Sequence, residues 1–499
     1  MSLEFNSEIS FLLEVVRSCL GNGKELYLVG GGVRDALMGS LLHDLDFAMP
    51  EDPTPLAKCV ANRLKAGFFV LDDERHTARV VNRMADHCLF PLDFVQFTGD
   101  NLSEDLQKRD FTINAIAVSL SDHLKIIDPL NGQEDLRAGL LRVCNFNSLL
   151  DDPVRVLRGV RLAMQFGFSY ASGLEKLMQE AAPNLPKTSY ERQRDEFFKI
   201  LVGPNPSKGM AQLHHFKVFK TLIPSLETQE AIPASLPNSS SKSTHSFSVV
   251  DFYDQLLNSI LSVGCYEKEK AWWISYVVSE LKPFSENIKA TFSEEITSGR
   301  TKRGLALLGA LLHDIDKPLI MPASKDGLLL NDDHDVIGAN LAWEAAKRLK
   351  LSNAESDWIR IMVCYHRCLI PLMGTEERPN RRTIYHFFAK TDEVGVAIAL
   401  LSLADIAATY SDTLSKEKWT MAVQVAKDLF FAWWNHRGSV VSPELLLDGN
   451  DLQSLFELHP GQQIGYLLEV LREAQASGEV VTRKDAINFV RSQLLKKEN

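Results

Sequence analysis

Apolar and polar positions change period along the chain. Near the N-terminus, "SEISFLLEVVRSCL" carries apolar residues at helical spacing and reads as an amphipathic helix. "ELYLVGGGVRD" then reads as a strand, a Gly-rich turn and a helix start. "FFVLDD", "ARVVNRM" and "CLFPLDFVQF" are rich in β-branched and aromatic residues and predict further strands. From Asp151 onward the period becomes helical, and Pro153 stands near a helix start in "DDPVRVLRGVRLAMQFGF". Strand signals then almost vanish. "RGLALLGALLHDIDKP", "LLSLADIAATY" and a unit from about Pro443 to the end predict more helices. The Ser/Pro-rich segment Ile232 to Ser246 reads as a mobile loop or domain boundary. The expectation is an α+β N-terminal region with a mixed sheet, followed by an all-α remainder. No internal repeat is evident.

Composition narrows this. At 499 residues the chain is long enough for three or more domains. Its 45% hydrophobic and 24% charged content is ordinary for a soluble globular protein. No apolar run reaches the length of a membrane span, and the N-terminus lacks the basic start of a signal peptide. A cytoplasmic location, with no membrane partner, is expected. Seven scattered cysteines suggest a reducing compartment and no disulfide framework. A net charge of −11 argues against indiscriminate nucleic-acid binding but permits a local basic groove.

Candidate chemistry begins at "LLHDLDFAMP". On a strand, Asp44 and Asp46 would face the same side, and their like charges call for a divalent metal between them. Two solvated carboxylates at an exposed strand end are the alternative. Just upstream, Gly30, Gly31 and Gly32 would let backbone N–H groups approach a phosphate, with Arg34 at the helix start gripping a polyphosphate. Asp93 in "FPLDFVQF" is a third carboxylate, able to ligate a metal or accept the proton of an attacking hydroxyl. "LQKRDFTINAIAV" places Arg109, Asp110 and Asn114 at a helix start, suited to phosphate and sugar contacts. Together they predict nucleotidyl transfer with Mg²⁺, two ions activating a 3′-hydroxyl and stabilising pyrophosphate.

"LVGGGVRDALMG…HDLDFAM", "KRDFTINA", "DPLNGQEDLRAGLLRV" and "DDPVRVLRGVRLAMQFGF" resemble class II tRNA nucleotidyltransferases, the CCA-adding enzymes, and the related bacterial poly(A) polymerases. The resemblance implies a polymerase-β-type head over 1–145, a base-reading helical neck over 146–230, a body over 245–435 and a tail over 440–499. It makes Asp44 and Asp46 the catalytic metal ligands. Lys108 stands where the family usually has an Arg, keeping the charge but losing the fork. Asp152 and Arg155, three apart on one helix face with Arg158 three further, match the family's protein template for the base. In isolation such a pair is an ordinary salt bridge. Asp accepts from the amino group of cytosine or adenine and Arg donates to the ring acceptors, selecting CTP and ATP over UTP and GTP. Tyr190, Glu191, Arg192 and Arg194 of "SYERQRDEFF" would brace the neck.

In the helical half, His313, Asp314, His334, His366 and Asp405 resemble the ligand order of an HD-type metal phosphohydrolase. Phe252 stands where the first metal His is expected, and Asp316 replaces a usual Gly. A degenerate HD fold serving as an RNA-binding body is therefore preferred over an active phosphohydrolase. "CYHRC" is a single cluster, short of the four ligands of structural zinc. The tail resembles the family's C-terminal module, and that resemblance implies contact with the tRNA acceptor arm and T-arm. "RTKR" (Arg300 to Arg303) and "RPNRR" (Arg378 to Arg382) would supply phosphate contacts, or are solvated helix ends. No protein partner is implied. The leading function is template-independent addition of C, C and A from CTP and ATP to tRNA. The alternatives are A-only or CC-only addition in a split system, poly(A) synthesis, or an HD phosphohydrolase or tRNA-binding protein with an idle head.

Overall fold

A computed structural model describes residues 3, 5–84, 88–122, 124–227, 242–261, 271–297, 299–316, 332–369, 371, 378–410 and 413–497. The chain forms two compact units, Met1–Glu196 with His215–Thr221, and Phe197–His214 with Leu222–Asn499.

The first unit is α+β. Its elements are α1 (Ser7–Cys19), β1 (Tyr27–Val29), α2 (Gly31–Leu37), β2 (Leu45–Met49), α3 (Thr54–Leu64), β3 (Gly67–Asp72), β4 (Thr77–Arg83), β5 (Leu89–Gln96), α4 (Leu102–Gln107), β6 (Ala117–Ser119) and β7 (Ile126–Ile127). The strands make one seven-stranded mixed sheet in the order β3-β4-β5-β2-β1-β6-β7. β2 runs parallel to β5, while β1–β2, β4–β5 and β3–β4 are antiparallel. Alternation along the strands decides which face holds the core. Leu45 and Phe47 of β2, Ala78 and Val80 of β4, and Leu92 and Phe94 of β5 are fully buried. Phe47 stacks on Phe94 with ring centroids 4.9 Å apart. Each Leu, Val or Phe among them contributes about 1.5–3 kcal/mol on burial. The intervening positions Asp46, Arg79 and Asp93 must then project from the opposite face.

After the sheet come α5 (Gly132–Ala138), α6 (Ser148–Asp151), α7 (Val154–Phe166), α8 (Leu174–Ala181) and α9 (Tyr190–Leu201), with Pro153 as the N-cap of α7. Asn6 caps α1 by accepting from Ile9 N–H. The cysteines are not all free thiols as the sequence suggested, because a disulfide joins Cys19 of α1 to Cys59 of α3. The spacing of 40 residues gave no sign of it.

Among its described residues the second unit is helical apart from the short hairpin Glu295–Thr297 with Arg300–Thr301. Of the segment expected to be a loop, 232–241 lies outside the described residues, and Lys242 begins the helix Lys242–Leu261. Its last helices close a separate apolar cluster containing Leu452, Leu467, Leu471 and Val490. Among the described residues no single helix is long and apolar enough to cross a membrane.

Candidate active site

Strand register builds the centre of the first unit. Asp46 of β2 lies directly beside Asp93 of β5, and Arg79 of β4 lies opposite Asp93. The Arg79 fork donates from Nε and Nη2 to the two oxygens of Asp93, each at 2.7 Å. Asp44 is one residue ahead of β2 and exposed. Burial, then the charges of Asp44 and Asp93, push the Asp46 carboxyl up to about 7. Burial and Asp93 raise Asp44 as well. These carboxylates resist ionising side by side without a cation, and oxygen donors of this kind suit Mg²⁺.

The glycine turn closes over this group. Gly30 has φ of 78°, and a Cβ there would stand 2.9 Å from Asp46 Oδ2. Only glycine leaves the carboxylate its place. Gly31 and Gly32 open α2, which buries Arg34. Arg34 Nη1 donates to Asn114 Oδ1 at 2.6 Å, and its guanidinium lies 4.7 Å over the Phe166 ring.

Arg109, Asp110 and Asn114 do not start an α-helix as expected. α4 ends at Gln107 and the chain bends into a short 3-10 turn, Thr112–Asn114. The Asp110 carboxylate causes the bend, accepting from Phe111 N–H at 2.7 Å and Asn114 Nδ2 at 3.1 Å. Burial raises its pKa, but the Arg158 charge and these hydrogen bonds outweigh it and hold the group below the usual range. Arg109 pairs with buried Asp105, Nη2 to Oδ2 at 3.0 Å.

Helix α7 meets the same bend. Arg158 Nη1 donates to Asp110 Oδ2 at 3.0 Å. Arg155 donates to Ser148 Oγ at 2.7 Å, Lys108 O at 2.9 Å and Arg109 O at 3.2 Å, with its Nε 3.8 Å from Asp152 Oδ2. Asp152 Oδ2 accepts from Arg192 of α9 at 2.6 Å, while Asp152 Oδ1 is buried with no hydrogen-bond partner. Buried Glu196 accepts from Arg161 Nε at 2.7 Å and lies 3.8 Å from Arg158 Nε. The sequence reading missed Arg79 and Glu196. Arg79 was signalled only by its place between the apolar positions Ala78 and Val80 of β4.

The family model described as the poly A polymerase head domain matches residues 26–142, and one described as a probable RNA and SrmB-binding site of polymerase A matches 167–230. An A-adding tRNA nucleotidyltransferase of Deinococcus radiodurans is 29% identical over 470 residues, 93% of this chain and 94% of its own. A CC-adding tRNA nucleotidyltransferase of Geobacter sulfurreducens is 28% identical over 468 residues, 93% of this chain and 91% of its own. Over most of its length the chain is thus similar to tRNA nucleotidyltransferases, and over residues 26–142 to the poly A polymerase head domain. A solved complex of a CCA-adding enzyme with ATP shares the fold at a TM-score of 0.63 and 21% identity, over 98% of this chain and 96% of that one.

The helical unit holds a second cluster. Among the described residues, one group of three ligand-type side chains has all its ligand atoms within 4.8 Å, His245 with His313 and Asp314. Asp44, Asp46 and Asp93 do not close this far, Asp93 being held by Arg79. Asp405 Oδ1 lies 3.1 Å from His245 Nε2, and Asp314 Oδ1 lies 3.8 Å from His366 Nε2. His313 and His366 donate from Nδ1 to the carbonyls of Ala310 and Val363 at 2.8 and 2.6 Å. A carbonyl only accepts, so in the neutral rings Nε2 keeps its lone pair and faces carboxylates. Such a set calls for a cation, and mixed imidazole and carboxylate donors suit a transition metal. Burial, and then the His313 charge, lower the His366 pKa, which keeps that imidazole neutral.

The gap expected at Phe252 is thus filled by His245, while Phe252 packs edge-on against Trp273. The side chain of His334 lies outside the described residues. Cys364 and Cys368 are half-buried, and the His between them, His366, turns to the cluster. The basic runs are tied up inside the unit. Arg300 pairs with Glu355 at 2.7 Å, Lys302 with Glu294 at 2.6 Å, Arg303 with Asp254 at 2.5 Å and Arg382 with Glu473 at 2.8 Å. Arg378 pairs with Asp428.

Proposed function

We propose that the chain adds C, C and A to the 3′ end of tRNA from CTP and ATP, with Mg²⁺ at Asp44 and Asp46. The observation that carries this is the meeting of Asp46 and Asp93 across parallel β2 and β5 under the Gly30 turn. When bound there, the cation would polarise the α-phosphate and lower the pKa of the attacking hydroxyl. Asp93 would take the proton of the 3′-hydroxyl once Arg79 yields it. Arg34 and Arg109 border the glycine turn and would hold the triphosphate, neutralising charge as pyrophosphate leaves.

Base choice falls to the neck. Asp152 Oδ1 lacks a donor, and the exocyclic amino group of cytosine or adenine supplies one. Arg155 would donate to the ring acceptors after leaving the carbonyls of 108 and 109. Uracil and guanine present a ring N–H to that guanidinium, an unmet donor that costs about 1–3 kcal/mol in a closed site. If Arg155→Ala kept full preference for CTP over UTP, this assignment would fall.

The deciding experiment uses transcripts of one tRNA ending before CCA, after C and after CC, each given one labelled nucleotide. C on the first two and A on the third is the expected result. A alone on the third, or C without A, would place the chain in a split system, as the Deinococcus and Geobacter relatives suggest. Long A tails on any RNA would mean poly(A) polymerase.

A second reading concerns the helical unit, and the His245 position favours it. With that ligand in place, the cluster suits a metal-dependent phosphohydrolase more than a relic. Release of phosphate from a 2′,3′-cyclic phosphate end with Ni²⁺ or Mg²⁺, lost in His313→Ala, would support it. No release with either metal would return the unit to an RNA-binding role.

A further inference from the structure

We infer that Arg192 is a positioning residue for base selection, holding the Asp152 carboxylate so that one oxygen stays open to the nucleobase. The inference rests on the reading of Asp152 as the base acceptor. Three observations carry it.

Arg192 Nη2 donates to Asp152 Oδ2 at 2.6 Å, a charge-assisted bond to one oxygen only. Asp152 Oδ1 is buried with no partner. The same unit shows the other geometry, because the Arg79 fork takes both oxygens of Asp93 at 2.7 Å. A buried acceptor left unmet is costly and is kept where a ligand meets it.

The third observation is what Arg192 prevents. Arg155 lies three residues along, its Nε 3.8 Å from Asp152 Oδ2. A freely turning carboxylate would swing into the Arg155 fork, and the two base-reading groups would satisfy each other. Arg192, from α9, anchors Oδ2 and turns a two-fold rotor into a fixed acceptor. Lys108 O, Arg109 O and Ser148 Oγ draw the Arg155 fork the other way. The Arg155 fork is thus engaged elsewhere while Asp152 Oδ1 stays without a donor. Arg192 is half exposed at 51%, so its loss opens no cavity.

The test compares wild type, Arg192→Ala, Arg192→Lys and Asp152→Ala in single-nucleotide addition to a tRNA transcript, with CTP, ATP, UTP and GTP. Arg192→Ala should raise KM for CTP and ATP about 10- to 100-fold, the worth of one charged hydrogen bond. Its kcat at saturation should change little, its preference over UTP and GTP should fall, and its melting temperature should hold. Arg192→Lys should recover part of the preference. Unchanged KM and preference in Arg192→Ala, with preference lost in Asp152→Ala, would overturn the inference and leave the base-reading assignment standing. A lowered melting temperature without recovery by Lys would make Arg192 a structural brace and also overturn it. Full preference in Asp152→Ala would remove the base-reading assignment and the inference together.

Discussion

Single residues decide the chemistry at the sheet face. Asp46 is raised to about 7 by burial and by its carboxylate neighbours. Its ionisation opposes folding when no cation is present, so its unfavourable contribution grows as pH rises from the ordinary 3.8 toward 7. In a chelator, wild type should lose more stability between pH 5 and pH 8 than Asp46→Asn, as measured by urea unfolding. An equal loss in both proteins would show that Asp46 titrates normally. Glu355 is the opposite case. Its side chain is fully buried against Arg300, which with Ser352 N–H outweighs burial and holds the carboxyl below 4.5. Its stabilisation is present above that value and lost as pH falls through the lowered pKa. Glu355→Gln should cost about 3 kcal/mol at pH 7 and less in acid. A denaturation midpoint unchanged at pH 7 would refute the pairing. The Asp44 and Asp46 spacing and the glycine turn were legible because they are local. His245 was not, because its partner Asp405 lies 160 residues away and only helix packing sets the depth of the contact. Position 252 is about two helical turns further along the same face. The face was therefore right and the depth wrong.

At the scale of elements, alternation and turns explain the success with β1 to β5. β6 and β7 are three and two residues long, too short for a period to register. The bend after α4 was misread as a helix start. Asp, Phe, Thr, Ile and Asn of "DFTINA" are weak helix formers, and the Asp110 side chain takes the donors of Phe111 and Asn114 instead. α5 seals that bend. A Cβ on Gly132 would stand 2.1 Å from Thr112 O, and Thr112 Oγ1 donates to Asp135 of the same helix at 2.7 Å. Gly132→Ala should cost about 1–3 kcal/mol through forced separation of α5 from the turn. It should also raise KM for nucleotide, because the turn carries Asn114 and through it Arg34. A wild-type melting curve with wild-type KM would contradict this. The basic runs "RTKR" and "RPNRR" left phosphate contact and solvated helix end both open, since a sequence shows charge but not the carboxylate that meets it in the fold.

Among the described residues each unit carries a cluster of ligand-type side chains assembled from its own elements, Asp44, Asp46 and Asp93 in the first and His245, His313 and Asp314 in the second. His313→Ala should abolish Ni²⁺ binding measured by calorimetry while nucleotide addition to tRNA stays within twofold or so of wild type. Undiminished Ni²⁺ binding would remove the second site. The central claim concerns the first unit, and label transfer tests it most directly. The measurement is incorporation of α-labelled CTP into a tRNA transcript ending before CCA, in Mg²⁺, by wild type and by Asp44→Ala/Asp46→Ala. The account predicts labelled C in the tRNA with wild type and none with the doubly substituted protein, whose melting temperature is not lowered. Labelled tRNA from the doubly substituted protein, or none from wild type, would contradict it.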